Sequence, residues 1–346
     1  MPFLLPQLAA TSSTATRPRA VVALAAGTQP AALARCLCAL SLQRSGNGLW
    51  LAPGAFGAVV VPDGPVAPVR EVLQGLGPSL PFLVSLAPPV AARDAALRSA
   101  LAQAAEWAGP ETPVLTTLAE AIPEPHWLER AMAGLAGGAD AVFGEAVPPP
   151  GTPDPAARYA ALLAALAARL DPDSADPAPP HGQETAASFA LRAGLLACIG
   201  GMPPGAEGFA GLPAALRRQD ARLRHVEGMR VEAVLPPAPI EPVLAWRRRV
   251  QARRALRGFW RKGTGLVAAE TAAFRRWAVR LGLPAGALGN ALATPHFGEA
   301  WAAVEAASPV LAAALRLPPA ALPRQIRLAR LLLGLTPRQP QPEGTA

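Results

Sequence analysis

A run of seven apolar residues near the start of the chain, AVVALAA at positions 20–26, constrains the fold most strongly. A strand that is apolar at every position is buried on both faces of its sheet, which is typical of parallel sheets covered by helices. A turn, GTQP at 27–30, and an apolar helical repeat over 31–43 follow directly. This opening predicts an α/β fold that begins with a strand, a turn and a helix.

The alternation of strand and helix continues along the first half of the chain. Further strands are predicted at 58–61, 82–86, 114–117 and 139–143, and helices at 69–76, 91–107 and 126–135. This spacing favours βαβ units with right-handed crossovers and a mostly parallel sheet flanked by helices. Less regular elements follow, with helices at 155–170, 193–199 and 212–219 and strands at 185–191, 223–226 and 231–234.

A proline-rich break, PPAP at 236–239, divides the chain. Beyond it the apolar pattern is helical throughout, with helices predicted at 241–262, 264–281, 297–306, 308–316 and 323–334. We therefore expect a disordered tail over 1–18, an α/β domain over 19–235, a helical C-terminal extension over 236–336 and a second disordered tail over 337–346.

Charge and cysteine content indicate where the excess positive charge lies and which cellular compartment is expected. The net charge is +8, and eight basic residues with no acidic one lie between Ala245 and Lys262. The remaining 24 basic residues equal the 24 acidic residues in number, so the excess charge belongs to one segment. The three cysteines make no disulfide framework, the N-terminus lacks the basic stretch of a signal peptide, and no uncharged apolar run of roughly 18 residues occurs. We expect a cytoplasmic protein.

The basic segment from Trp246 to Lys262 is open to three interpretations. Its apolar side, which includes Trp246 and Trp260, is suited to an anionic membrane surface on the cytoplasmic face. Its arginines are also suited to a polyanion, although we expect no specific recognition of nucleic acid. The third alternative is a solvated helix whose arginine stems pack on the protein.

A carboxylate directly after a predicted strand marks a candidate site. The strand at 114–117 ends in a polar turn with Glu120, and prolines at 123 and 125 lead to a helix that begins near His126. Open α/β sheets bind ligands outside the carboxyl ends of their strands, and this is where Glu120 is expected. The alternative is an ordinary loop with a solvated glutamate.

Several segments carry a family pattern in their order and spacing. Residues 59–64 read VVVPDG, residues 92–97 read ARDAAL, residues 114–128 read VLTTLAEAIPEPHWL, and residues 189–202 read FALRAGLLACIGGM. Together they resemble family 2 glycosyltransferases, over residues 19–235. The resemblance implies a GT-A-like (Rossmann-like) fold with a mostly parallel sheet, and transfer of a sugar from a nucleotide-sugar donor. The acceptor is unknown, with lipid-linked and envelope-polysaccharide acceptors as the possibilities.

The family's D-x-D triplet holds a divalent metal, Mn²⁺ or Mg²⁺, on the donor diphosphate, since such cations prefer oxygen ligands. The corresponding triplet is Leu118-Ala119-Glu120, so the first carboxylate is absent and the resemblance leaves Glu120 as the metal ligand. One carboxylate is sufficient only where the phosphates supply most of the other ligands.

The resemblance also assigns the remaining site residues. Thr28, Asp63 and Arg93 correspond to positions near the nucleotide, although Pro62 replaces the first aspartate of the family's pair. Glu207 is the carboxylate nearest the position of the family's general base, which takes a proton from the acceptor hydroxyl. The altered carboxylates leave a second function open. In that alternative the chain is a catalytically inactive relative that acts as a binding or scaffolding partner.

Overall fold

The structure is a computed structural model. It describes residues 18–174, 176, 179–205, 208–235, 240–261, 265–266, 272–283, 293–312 and 316–335. The predicted tails therefore lie outside the described residues, apart from Pro18. The described residues belong to two compact units. The first lies within Met1–Thr152, Gln183–Ala215 and Arg222–Leu235, and the second lies within Pro153–Gly182, Leu216–Ala221 and Pro236–Ala346.

Helices and strands alternate along the chain as the sequence predicts. In chain order the elements up to residue 170 are β1 (Val21–Ala26), α1 (Pro30–Ser41), β2 (Gly57–Pro62), α2 (Val66–Leu76), β3 (Leu83–Leu86), α3 (Arg93–Trp107), β4 (Pro113–Leu118), β5 (Ile122–Pro123), α4 (Trp127–Ala136), β6 (Ala141–Val147) and α5 (Pro155–Leu170). The later elements are β7 (Phe189–Arg192), α6 (Ala193–Cys198), α7 (Gly211–Arg218), β8 (Leu223–Glu232), α8 (Val243–Phe259), β9 (Trp260–Arg261), β10 (Gly265–Leu266), α9 (Ala272–Arg280), α10 (Phe297–Ala307), α11 (Pro309–Ala312) and α12 (Leu322–Leu335).

One sheet organises the first unit. Within the described residues it has eight strands in the order β3-β2-β1-β4-β7-β6-β8-β5. The neighbours β3, β2, β1 and β4 are parallel, β7 is antiparallel to both β4 and β6, and β8 is parallel to β6. All residues of β1 and β2 are buried, as expected for central strands covered on both faces. The predicted α/β class, with a mostly parallel sheet, flanking helices and a helical C-terminal part, is confirmed.

Three details of the sheet differ from the sequence-based prediction. Strand β7 runs antiparallel to β4. Strand β5 was not predicted, because it has only two residues and one of them is Pro123. Proline lacks the N–H group of a central strand but is tolerated on an edge strand, where β5 pairs with β8 alone. The two short strands predicted at 223–226 and 231–234 form one strand, β8, whose pairing with β6 shifts register between Phe143 and Glu145.

The described part of the second unit is mainly helical, and its buried apolar residues form at least two clusters. Helix α5 packs against α12, and Tyr159, Leu166 and Ile326 are among the buried residues of their cluster. Residues of α8, α9 and α10 form the other cluster, with Leu256 and Val304 fully buried. Residues 153–182, which the sequence placed in the α/β domain, thus belong to the unit that contains the C-terminal helices.

The apolar side of the basic segment lies inside this second unit. Trp246 packs against the cluster around Tyr159, and Trp260 packs against the cluster around Leu256. These aromatic residues are therefore not the exposed face of α8 in this structure. Lys262, at the end of the predicted helix, lies outside the described residues. Among the helices that the structure describes, none is both long enough and apolar enough to cross a membrane.

Candidate functional site

The candidate site lies where the strand order of the sheet reverses. Strand β1 has β2 on one side and β4 on the other, and all three run in the same direction. The chain adds β2 and β3 on one side of β1 and then continues with β4 on the opposite side. Such a switch point leaves a crevice at the carboxyl ends of the strands, where open α/β sheets bind ligands.

Pairing beyond the strand ends brings the predicted residues to this crevice. The N–H group of Asp63 donates to the carbonyl of Ala26 at 2.9 Å, and that of Ala119 donates to the carbonyl of Ala25 at 3.3 Å. Asp63 and Glu120 consequently lie on either side of the turn that follows β1. Thr28, in that turn, is exposed, and its methyl group lies 3.3 Å from the position that a Cβ on Gly64 would take.

The guanidinium group of Arg93 links the two carboxylates. Arg93 Nη2 donates to Glu120 Oε1, and Arg93 Nε lies 3.8 Å from Asp63 Oδ2. The Asp63 side chain is 13% exposed, whereas those of Glu120 and Arg93 are 33% and 43% exposed. The sequence brings Arg93 here because it is the first residue of α3, directly after the loop that follows β3.

The backbone is strained at the residue before Arg93. Ala92, the N-cap of α3, has φ +78° and ψ 136°, in a region that favours glycine. Residues held in such conformations cost about 1–3 kcal/mol and cluster at ligand sites. The strained residue thus lies directly between the loop after β3 and the arginine of the candidate site.

Gly27 lies directly against the ion pair. A Cβ at this position would lie 2.6 Å from Glu120 Oε1 and 3.3 Å from Arg93 Nη2. The absence of a side chain therefore lets the carboxylate lie directly against the turn after β1. From the sequence Gly27 is predicted only as a turn residue, although glycine is also common where a ligand or a side chain approaches the backbone closely.

Glu120 has one oxygen that is not used within the protein. Its Oε2 atom is buried and has no hydrogen-bond partner among the residues that the structure describes. Buried polar atoms are nearly always hydrogen-bonded, so an exception calls for an explanation such as a ligand or an ion. No group of three or more histidine, cysteine, aspartate or glutamate residues arranged for a metal occurs among the described residues.

A third carboxylate near the site, Asp94, was not among the residues predicted from the sequence. Asp94 is exposed in the first turn of α3, and its Cγ lies 2.7 Å from the position of a Cβ on Gly208. One turn later, Arg98 Nη2 donates to the carbonyl of Pro203 at 3.4 Å. The chain on both sides of residues 206–207 therefore passes the start of α3. Glu207 itself, the predicted base, lies outside the described residues.

The structure thus brings together four of the five predicted site residues. Asp63, Arg93 and Glu120 are in direct contact, and Thr28 lies beside them at the same edge. Cys36, in α1, is also close enough to be affected electrostatically, since burial and the charge of Glu120 raise the pKa of its thiol to about 12. This thiol stays protonated at neutral pH and is unsuited to act as a nucleophile.

Comparison with known proteins gives structural neighbours only. No family model matches the chain. No curated protein matches it either. Among solved structures, the chain is similar to the mannosyltransferase PcManGT from Pyrobaculum calidifontis in complex with GDP-Man and Mn²⁺, at 18% identity and a TM-score of 0.49, over 92% of this chain and 84% of that one.

Two structures of S. aureus TarS 1–349 are also similar, one in complex with UDP and one with UDP-GlcNAc. Each is 16% identical to this chain, with TM-scores of 0.43 and 0.44. The similarity covers 68% of this chain and 65% and 66% of the TarS chains. At such identities, an inference about function has to come from the residues of the site themselves.

Proposed function

We propose that this protein is a glycosyltransferase that binds a nucleotide-sugar donor at the switch point between β1 and β4. The observation that carries the proposal is the convergence of Asp63 and Glu120 on Arg93 at this edge of the sheet. Membership of glycosyltransferase family 2, with Leu118-Ala119-Glu120 as a reduced D-x-D triplet, is part of the proposal.

Arg93 and Asp63 have complementary roles in donor binding. A guanidinium group forms paired hydrogen bonds with phosphate oxygens, so Arg93 would leave its carboxylate partners and hold the donor diphosphate. Asp63 is mostly buried and can accept hydrogen bonds from hydroxyl groups of the donor. Thr28, exposed at the same edge, would contact the nucleotide beside it.

The residues present also fit a divalent cation. Glu120 Oε2 is buried without a described partner, and Asp63 supplies a second carboxylate around the same arginine. Mg²⁺ is usually held by one or two carboxylates together with substrate phosphates, so Glu120, assisted by Asp63, would hold the ion. When bound, a cation of this kind neutralises charge on the leaving diphosphate.

Transfer to an acceptor hydroxyl needs a group that accepts its proton. Glu207 remains the proposed base. Asp94 lies against Gly208, the residue that follows Glu207, and is the described carboxylate placed to support it. The acceptor, whether lipid-linked or a polysaccharide of the envelope, stays a prediction, as do the cytoplasmic location and the division into domains at residue 235.

Calorimetric titration with UDP and GDP, with and without Mn²⁺, tests this function. We expect metal-dependent binding that is lost in Glu120→Gln and kept in Glu106→Gln. The control removes the same charge from an exposed position on α3 that has no ion pair among the described residues. If the folded wild-type protein binds neither nucleotide, the glycosyltransferase proposal fails and the non-catalytic scaffold is the better function.

A further inference from the structure

Five of the six arginines of α8 fall into two groups with different surroundings. Arg249, Arg253 and Arg257 recur at every fourth position and therefore share one side of the helix. Arg249 Nη1 lies 3.2 Å from Glu241 Oε1, and Arg249 Nε lies 3.4 Å from Glu305 Oε1. Two carboxylates of the same unit are therefore paired with this arginine.

Of the other two arginines in this group, Arg257 is paired with a carboxylate and Arg253 is largely buried. Arg257 Nη1 lies 2.5 Å from Asp171 Oδ1, and its guanidinium carbon lies 5.5 Å from the centre of the Phe297 ring. Burial, together with the charges of Arg217 and Arg257, lowers the pKa of Arg253 to about 10, although Asp171 opposes the shift. These three arginines are structural and cannot account for binding to an external anion.

The second group lines an open groove with a volume of about 650 Å³ on the other side of α8. Arg248 and Arg254 of α8 face Arg280 of α9 across it, and Leu170, Trp277 and Leu281 are among its other lining residues. We refer to it as the α8–α9 groove. It has no acidic residue among its described lining residues.

The three arginines of the groove are available to a ligand. All three are exposed, and none has an ion pair with a carboxylate in the described part of the chain. Arg254 is held in place because its Nη1 atom donates to the carbonyl of Leu170 at 3.0 Å. Its other N–H groups, and those of Arg248 and Arg280, remain free for an anion.

Trp277 supplies a neutral donor and an apolar surface. Its indole Nε1 atom is buried and has no hydrogen-bond partner among the residues described. The ring is held by Phe274, with centroids 5.3 Å apart, and by Phe259, with centroids 6.1 Å apart. A tryptophan beside arginines is typical of the interface between water and a membrane.

Large apolar side chains flank the groove on both helices. Leu244, one turn before Arg248 on α8, is 52% exposed, and Val279, next to Arg280 on α9, is 76% exposed. A soluble phosphate ester would leave these side chains in water, whereas a lipid surface would cover them. The combination of unpaired arginines and adjacent exposed apolar residues therefore favours a lipid.

We propose that the α8–α9 groove binds the phosphate head group of an anionic lipid at a membrane surface. Arg248, Arg254 and Arg280 donate to the phosphate oxygens, and Leu244 and Val279 contact the acyl region. This assignment replaces the sequence-based idea that the apolar side of the basic segment meets the membrane. It is independent of the donor site, which lies in the other unit.

Sedimentation of the full-length protein with vesicles tests the proposal. The vesicles are phosphatidylcholine alone, or phosphatidylcholine with added phosphatidylglycerol. We expect binding to the anionic vesicles only. Arg248→Gln/Arg280→Gln should weaken it about 30-fold, since each arginine near an anionic surface contributes about 1 kcal/mol.

The matched control is Arg276→Gln/Arg327→Gln. It removes the same charge from exposed positions of the same unit that lie outside the groove and have no described ion pair. Binding of the control should stay close to that of the wild type. Equal losses in both double variants would show unspecific attraction to negative charge and would overturn the proposal.

Two further measurements decide between a lipid and a soluble phosphate. Brominated lipids should quench wild-type fluorescence more than that of Trp277→Phe, a change that keeps an aromatic ring against Phe274. Glycerophosphate should not displace the protein from vesicles when its concentration matches that of the lipid phosphate. Displacement at that concentration, or equal quenching of both proteins, contradicts binding of a lipid head group in this groove.

Discussion

Replacement of Gly27 by alanine should separate donor binding from stability. The added methyl group would lie 2.6 Å from Glu120 Oε1, and the oxygen must move by 0.8 Å to reach ordinary contact at 3.4 Å. Because Arg93 Nη2 lies 3.3 Å from the same methyl group, the arginine cannot simply follow the carboxylate. We expect the Arg93–Glu120 ion pair to be disrupted while the charge of the site stays the same.

The effect on stability should be small, because two contributions to the free energy of unfolding have opposite signs. The ion pair is exposed by more than a third at Arg93, and pairs of this kind contribute about 0.2–1 kcal/mol. Gly27 does not have a left-handed backbone conformation, so alanine is compatible with its fold and should add about 0.4–1 kcal/mol by restricting the unfolded chain. The free energy of unfolding should therefore change by less than about 1 kcal/mol.

The effect on donor binding should be larger. Glu120 is the proposed ligand of the donor's cation, and the variant displaces its carboxylate from the turn after β1. We expect a loss of at least the size of one hydrogen bond to a charged group, about 1.5–3 kcal/mol. We expect the affinity for UDP or GDP with Mn²⁺ to fall about tenfold or more.

Calorimetric titration and urea unfolding of the same preparations measure the two quantities. Gly77→Ala is the control, because no atom lies within 4 Å of its added methyl group and it is outside the proposed donor site. An unchanged nucleotide affinity in Gly27→Ala would refute the placement of the Glu120 carboxylate in the donor site. A large loss of stability would show that the pair is chiefly structural.

Two further predictions concern the folded units rather than the ligands. In Gly57→Ala the new Cβ would lie 2.7 Å from Trp107 Cζ3, on a rigid ring, so thermal unfolding should show a loss of about 1–3 kcal/mol. Gly75→Ala, where no atom lies within 4 Å, should be neutral or stabilising and serves as its control. Burial raises the pKa of Glu305 above its ordinary value of 4.5, although Arg249 and Arg253 oppose the shift. The folded state therefore favours the protonated carboxyl, and this contribution is complete below pH 4.5 and is lost as the pH rises through the raised value. The urea midpoint of unfolding, measured from pH 4.5 upward, should therefore decline less in Glu305→Gln than in the wild type. An identical decline in both proteins would contradict the raised pKa of Glu305.

The elements that the sequence predicts best are those whose apolar pattern is uninterrupted. Strands β1 and β2 and helix α3 were placed within a few residues, because complete burial or a clear helical repeat marks them. The antiparallel direction of β7 was not predictable, because an apolar run carries no information about the direction of its neighbours. The location of α5 in the second unit was missed because the pattern shows an apolar face but not its partner, α12.

The residues that form the candidate site could be predicted from the sequence, but the contacts between their side chains could not. The resemblance to a family placed Asp63 after β2, Arg93 at the start of α3 and Glu120 after β4. The parallel pairing of β2 and β4 with β1 brings these positions to one edge of the sheet. That Arg93 pairs with both carboxylates depends on the strained entry into α3 at Ala92, which no residue pattern indicates. The ion pairs of the basic segment were likewise not predictable. Its partners Asp171 and Glu305 are distant in sequence, so only the apolar side of the segment could be interpreted.

The charges of the two proposed sites lead to opposite requirements for a metal. Asp63 and Glu120 exceed Arg93 by one negative charge, and Asp94 adds another nearby. A nucleoside diphosphate would be repelled by this site unless a cation accompanied it. The α8–α9 groove has three arginines and no described acidic lining residue, so a phosphate needs no such help there. Addition of EDTA to one preparation should therefore abolish nucleotide binding and leave binding to anionic vesicles unchanged. Nucleotide binding that survives EDTA would mean that Arg93 alone neutralises the diphosphate, and Glu120 would then have no role as a metal ligand.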